Sequence, residues 1–265
     1  MTKPNPSPTN GSASAKVRRR FKATFWPTVI TIPSILILIG LGFWQLHRLD
    51  WKQELIDERQ SRSQGPALSL SQVPGDLDQA EFMLVEVTGT FLHDQEFYLG
   101  ARTREGRVGY HIVTPFQLQD GGSLFIDRGW VPQNRKEPTA RIEGQTEGGV
   151  TLQGLVRTDG WKGVDFAKPD NLPDERFYFW LDLPVMAATA EMPQLITDFY
   201  VEAGPAPNPG GLPKGGQSRI NLPNDHLEYA LTWFALAIAL AVIYFFFHYR
   251  PENSDTPSAG TSKEP

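Results

Sequence analysis

Two apolar runs constrain this chain more than any other feature. "FWPTVITIPSILILIGLGFWQL", residues 25–46, has no charged side chain, and "LEYALTWFALAIALAVIYFFF", residues 227–247, has only Glu228 near its start. As helices rising 1.5 Å per residue they are about 33 and 31 Å long, which matches a hydrocarbon core of about 30 Å with modest tilt. A helix satisfies its own backbone hydrogen bonds, the condition for entering lipid. Pro27 falls in the first turn, where it does no harm, while Pro33 is placed to kink the first span. The basic "KVRRR" before the first run would also suit a signal peptide. Its length and the lack of a small-residue cleavage pattern after it favour a retained anchor.

The charges around these runs give an orientation. Of 25 basic and 30 acidic residues, six basic and no acidic ones lie in 1–24, and two basic and three acidic ones lie in 250–265. The stretch between therefore holds 17 basic and 27 acidic residues. The positive-inside rule places both termini in the cytoplasm or its organellar equivalent and the acidic stretch on the opposite side. A net charge of −5 leaves no basic footprint for nucleic acid. With no cysteine, disulfides, thiolate zinc, iron–sulfur clusters and thioether haem attachment are excluded. A copper chaperone fares no better, without a thiolate pair or a Met/His cluster.

Between the runs the pattern changes from helix to strand. "DWKQELIDERQSRSQ" keeps helical spacing and prolongs the first helix. From about residue 82, "MLVEVTGTF", "EFYLG", "GYHIVTPFQL", "SLFIDRGWV", "VTLQGLVR", "RFYFWLDL" and "LITDFYVEA" are short, β-branched and aromatic, and bounded by turn residues. Asp120-Gly121-Gly122 predicts a hairpin, "LPVMAATAEM" a single internal helix, and Arg128 and Trp130 in "DRGWVP" a strand end. The expected fold class is a membrane protein with two transmembrane helices flanking a mainly antiparallel β (α+β) domain. The expected division is a disordered tail over 1–24, spans over 25–46 and 227–247, the β-rich domain over 47–226, and a second tail over 248–265.

The chain has no G-x-S-x-G elbow, H-E-x-x-H, phosphate loop or dinucleotide fingerprint, so nothing points to an enzyme. His93 and His111 read as structural or surface residues within the strand region, and His248 as an interface anchor. Two clusters remain. "GLGFWQLHRLDWKQ", residues 40–53, suits an aromatic belt with Trp44 and Trp51 at the headgroups and Arg48 snorkelling. "NDHLEY", residues 224–229, predicts a helix start at His226, with Asp225 as cap and Glu228 completing a capping box. His226 then shares a side with Tyr229, Ala230 and Trp233, and two antiparallel spans would bring it to the height of Trp44 and Arg48. A helix N-terminus favours a neutral imidazole, the form that ligates metals. His226 is accordingly the one candidate metal ligand. Aromatic walls, one imidazole and an arginine suit haem, a flat apolar cofactor with carboxylate tails; the plainer alternative is a polar residue wetted by headgroups.

The same residues carry a resemblance. "GLGFWQLHRLDWKQELI" resembles the first-span signature of the surfeit locus protein 1 family, "GTFLHDQEFYLGARTREGRVGYHIVTPFQL" with "LFIDRGWVP" its central domain, and "GGLPKGGQSRINLPNDHLEYALTWFALA" its return segment. Trp44, Gln45, Arg48 and Trp51 match the first signature, and His226 and Trp233 the return segment, whereas His47 falls at a variable position. The resemblance implies a cytochrome c oxidase assembly factor of bacterial type, not an enzyme. It implies a protein of the cell inner membrane with a periplasmic central domain, binding haem a received from haem a synthase while the catalytic oxidase subunit is built. The expected binding set is His226, Tyr229, Trp233, Trp44 and Arg48, and membrane lipid is the other partner. A scaffold that steadies an oxidase intermediate without touching haem is the competing reading.

Overall fold

The structure, a computed structural model, describes residues 19–251 apart from 159, 162, 219 and 221. The chain order is β1 (Arg19–Phe21), α1 (Phe25–Ser63), α2 (Leu77–Ala80), β2 (Leu84–Phe91), β3 (Phe97–Arg104), β4 (Arg107–Leu118) and β5 (Ser123–Pro132). It continues through β6 (Val150–Arg157), β7 (Phe177–Tyr178), α3 (Leu183–Thr189), β8 (Leu195–Ala203), α4 (His226–His248) and β9 (Tyr249–Pro251). Two compact units result: residues 1–53 with 224–265, and residues 54–223.

The first unit is an antiparallel helix pair. α1 and α4 are both long and apolar enough to cross a membrane. Their contacts run in opposite chain directions: Thr24 meets His248, Thr28 Oγ1 lies 2.6 Å from Tyr244 Oη, and Phe43 packs edge-on against Phe234. Gly42 permits this approach, since a Cβ there would stand 2.5 Å from the Phe234 ring. Small residues at the seam are what tight packing of membrane helices needs. Ala230 and Ala237 are buried there, while Ile30, Leu36, Ile37, Leu231, Ile238 and Phe246 point outward and exposed, as a lipid solvent allows. The Thr28, Ser34 and Thr232 hydroxyls each donate to the carbonyl four residues back, so no hydroxyl of these three faces lipid unpaired. Within the stretches expected to be tails, β1 pairs antiparallel with β9. The rest of both tails, 1–18 and 252–265, lies outside the described residues. His248, expected as an interface anchor, is buried at the end of α4, with Nδ1 on the Tyr244 carbonyl and Nε2 on Thr24.

The second unit is built on a mixed seven-stranded sheet in the order β2-β6-β8-β5-β4-β3-β7. β2 pairs with β6 over Leu84–Gly89 and then with β4 over Gly89–Phe91, which closes β2, β6, β8, β5 and β4 into a small barrel. Gly89 sits at the changeover, where a Cβ would run into the Gln117 carbonyl. The pairings are mostly antiparallel, with β5–β8 and β3–β7 parallel. Val85, Val87, Phe116, Leu124, Ile126, Val156 and Val201 fill the barrel. A second core of Phe97, Val113, Phe125, Tyr178, Leu183 and Met186 lies under α3. Each expected strand is present except "RFYFWLDL", which shrinks to two residues. Asn171 takes over the backbone beyond it, accepting from the Phe179 amide at 2.9 Å and donating to the Trp180 carbonyl at 3.0 Å. Asp182 then caps α3 through the Val185 amide. Arg128 and Trp130, expected at a strand end, lie buried inside β5, where Gly129 at φ +109° forms a bulge.

The domain also buries charge. Arg128 and Arg141 share one carboxylate, Glu96, and all three are almost wholly enclosed. Arg128 further donates to the Gly144 carbonyl and stacks 4.4 Å over Phe91. Burial draws the Arg128 guanidinium down to about 10, against the opposing pull of Glu96. Burial would push Glu96 upward, but hydrogen bonds with His93 and Arg141 and the charges of both arginines outweigh it and hold the carboxyl at about 2.

Candidate functional site

α4 begins at His226, as its position before the apolar run predicts. The expected capping box is not formed. Asp225 sits at φ −90° and ψ 8°, away from the extended backbone of a typical cap, and its carboxylate accepts no amide of the first turn. The imidazole is fixed from the other helix instead. His226 Nδ1 lies 2.7 Å from Gln45 Oε1, and one turn along α1 the Asn224 amide donates to the Leu49 carbonyl at 3.3 Å. Because an amide oxygen only accepts, Nδ1 is the donor in this contact, which leaves Nε2 as the other ring nitrogen. No described residue engages that second nitrogen. An imidazole held through one nitrogen and free at the other is the arrangement seen in metal-ligating histidines.

None of the remaining expected residues touches the ring by hydrogen bond or ring stacking, among the described residues. Ala230, one turn on from His226, is buried at the helix seam, whereas Tyr229 is 58% exposed and faces away from it. The shared side expected for His226 and Tyr229 is thus split, because a three-residue step turns the helix about 60° short of a full circle. Trp233 is half-buried and Trp44 is exposed. Arg48 lies between Gln45 and Leu49 in height, with its guanidinium 4.3 Å over the Trp51 ring and its Nε buried without a partner. His47 is exposed on another side of α1.

A family model for the SURF1 family matches residues 33–238. The chain belongs to that family. Among relatives of this SURF1 chain, a SURF1-like protein from Monosiga brevicollis is 36% identical over 253 residues, covering 91% of this chain and 94% of its own. Surfeit locus protein 1 of Mus musculus is 38% identical over 224 residues, covering 78% and 70%, and that of Homo sapiens 35% over 232 residues, covering 80% and 75%. The matched span takes in the Phe43–Phe234 and Gln45–His226 contacts and the whole barrel, and leaves out the Thr24–His248 and Thr28–Tyr244 contacts. Gln45 is the residue that the expected binding set lacks. It stands in the first-span signature, but only the fold shows that its amide meets an imidazole 181 positions away.

Proposed function

We propose that this SURF1 chain is a cytochrome c oxidase assembly factor that takes up haem a at the membrane interface and passes it toward the catalytic oxidase subunit. The observation that carries the reading is the Gln45–His226 pair, which supports Nε2 as a ready axial ligand. The donor set fits the cargo. Trp44 and Trp233 supply aromatic side chains on the two helices that carry Gln45 and His226, and Arg48, with an unsatisfied buried Nε, is the cation at the height of that pair for a propionate. Haem a synthase as donor, membrane lipid around the helices, an inner-membrane location and a periplasmic barrel with cytoplasmic termini complete the proposal; the basic flank of the first span supports that orientation.

The test is the optical spectrum of the full chain purified from cells with and without haem a synthase. A Soret band appearing only with the synthase is expected, and its absence would favour the scaffold that never touches haem. His226→Ala should abolish or shift the band without loss of membrane insertion. Gln45→Leu should weaken haem retention about 10–100-fold, the usual cost of removing a ligand's outer partner, while leaving insertion intact. A spectrum indifferent to both changes would return His226 to the role of a wetted interface residue.

A further inference from the structure

The barrel unit carries a second constellation that haem handling at the helices does not use. A polar row crosses four neighbouring strands: His111 on β4, Asp127 on β5, Glu202 on β8 and Arg157 on β6. It floors a cavity of about 680 Å³, which adjoins a second of about 340 Å³ across the shared side chains Arg102, Arg157 and Tyr200. Both volumes lie in the range of small-molecule sites.

A census of this floor shows what is spent and what is free. Asp127 accepts from His111 Nδ1 at 2.8 Å and from the Gly129 amide at 2.9 Å. Glu202 accepts from Arg157 at 2.9 Å, and Arg157 also pairs with Glu81 at 3.5 Å. The Asp127 and Glu202 side chains are only 4% and 7% exposed, so an incoming group meets neither carboxylate first. The donors are in the opposite condition. Arg102 is half-buried with no side-chain hydrogen bond or ion pair among the described residues, and Arg59 only stacks on Phe82. Tyr200 Oη and His111 Nε2 have no partner either among the described residues. The smaller cavity adds an aromatic wall of Trp161, Phe179 and Trp180. The indole nitrogens of both tryptophans are satisfied by carbonyls, and a Lys168 ammonium lies 3.8 Å over Trp180.

Spent acceptors and unspent donors call for a ligand that brings acceptors. We propose that these adjoining cavities form a binding site for a small organic anion with an aromatic body, its carboxylate taken by Arg102 beside Tyr200 and its ring by the Trp161–Phe179–Trp180 wall. The unit as a whole is acidic, so this is a local property of the cleft and not a general attraction for anions.

The test uses the full chain in detergent with its seven tryptophans labelled at the indole nitrogen, titrated with benzoate and, as a neutral match, benzyl alcohol. Saturable shifts are expected at the Trp161 and Trp180 signals, assigned through Trp→Phe variants, with benzoate but not with benzyl alcohol. Arg102→Gln should raise the benzoate Kd tenfold or more, and Arg102→Lys by less, the other indole signals staying in place as the check on folding. Equal shifts with benzyl alcohol, no shift at either tryptophan, or an unchanged Kd in Arg102→Gln would each overturn the proposal. None of these readouts depends on His226 or on haem.

Discussion

Glu96 offers the sharpest test of how the barrel is held together. It is one carboxylate between two enclosed guanidiniums, with Arg141 on both oxygens and Arg128 at 3.5 Å. Its carboxyl lies at about 2 against an ordinary 4.5. At 1.36 kcal/mol per pH unit the displacement corresponds to about 3 kcal/mol of folding stability. The folded value is the lower one, so this contribution is complete above pH 4.5 and is lost as the pH falls toward 2. Glu96→Gln removes the charge at constant shape and leaves both guanidiniums without a counterion, which costs about 3–5 kcal/mol. For a unit of 54–223 that is a drop of roughly 6–20 °C in Tm, at about 2–4 °C per kcal/mol. Thermal unfolding followed by tryptophan fluorescence, with buried Trp130 as reporter, should show the wild type losing Tm steeply between pH 4.5 and 2.5. The Glu96→Gln protein should start lower and lack that part of the slope, so the two curves converge in acid. Parallel curves over this interval would refute the assignment of the stability to Glu96.

Three further outcomes are expected. Gly42→Leu should force α1 from α4 at the Phe234 ring, widening by a few ångströms the distance between spin labels on cysteines introduced at exposed Ile37 and Leu236; an unchanged distance would place the helix seam elsewhere. Burial pulls His111 toward the neutral form, but the Asp127 carboxylate beside it outweighs burial and raises the imidazole above 6.5. Its contribution is therefore full below pH 6.5 and lost as pH rises through the folded value, so chemical unfolding between pH 6 and 9 should show a decline in wild type that His111→Gln lacks. A C-terminal reporter active only in the cytoplasm should be active in the fusion, and one active only in the periplasm silent, if the six-to-zero basic excess before the first span sets the orientation.

Much of this architecture is written in local pattern. Strands such as β6 and β8 match their apolar runs to the residue, because β-branched runs bounded by turn formers have one economical backbone. The two long helices follow from length and charge alone. Barrel closure does not, since it depends on β2 changing partner at Gly89, and a glycine in a strand records only that something approaches closely. The loss of most of "RFYFWLDL" was equally hidden. Its composition favours a strand, but Asn171 and Asp182 claim the backbone groups that a ladder would have used.

The site divides along the same line between local and distant information. Local pattern places His226 at a helix start, and from it Asp225 is expected as the cap and the helix N-terminus as what disfavours charge on the imidazole. In the fold, the side chain that meets the imidazole is Gln45. The distinction matters physically. A capping carboxylate would act on the backbone and on charge, while an amide oxygen at Nδ1 selects a tautomer and holds the ring plane. Gln45 also comes from the other helix, so the imidazole is held through Nδ1 only when α1 and α4 are packed. Gly42 and Phe234 make that packing possible one turn below. The setting of the His226 ring and helix pairing are thus one property of this unit, and a change at the seam with no contact to His226 acts on the imidazole through Gln45.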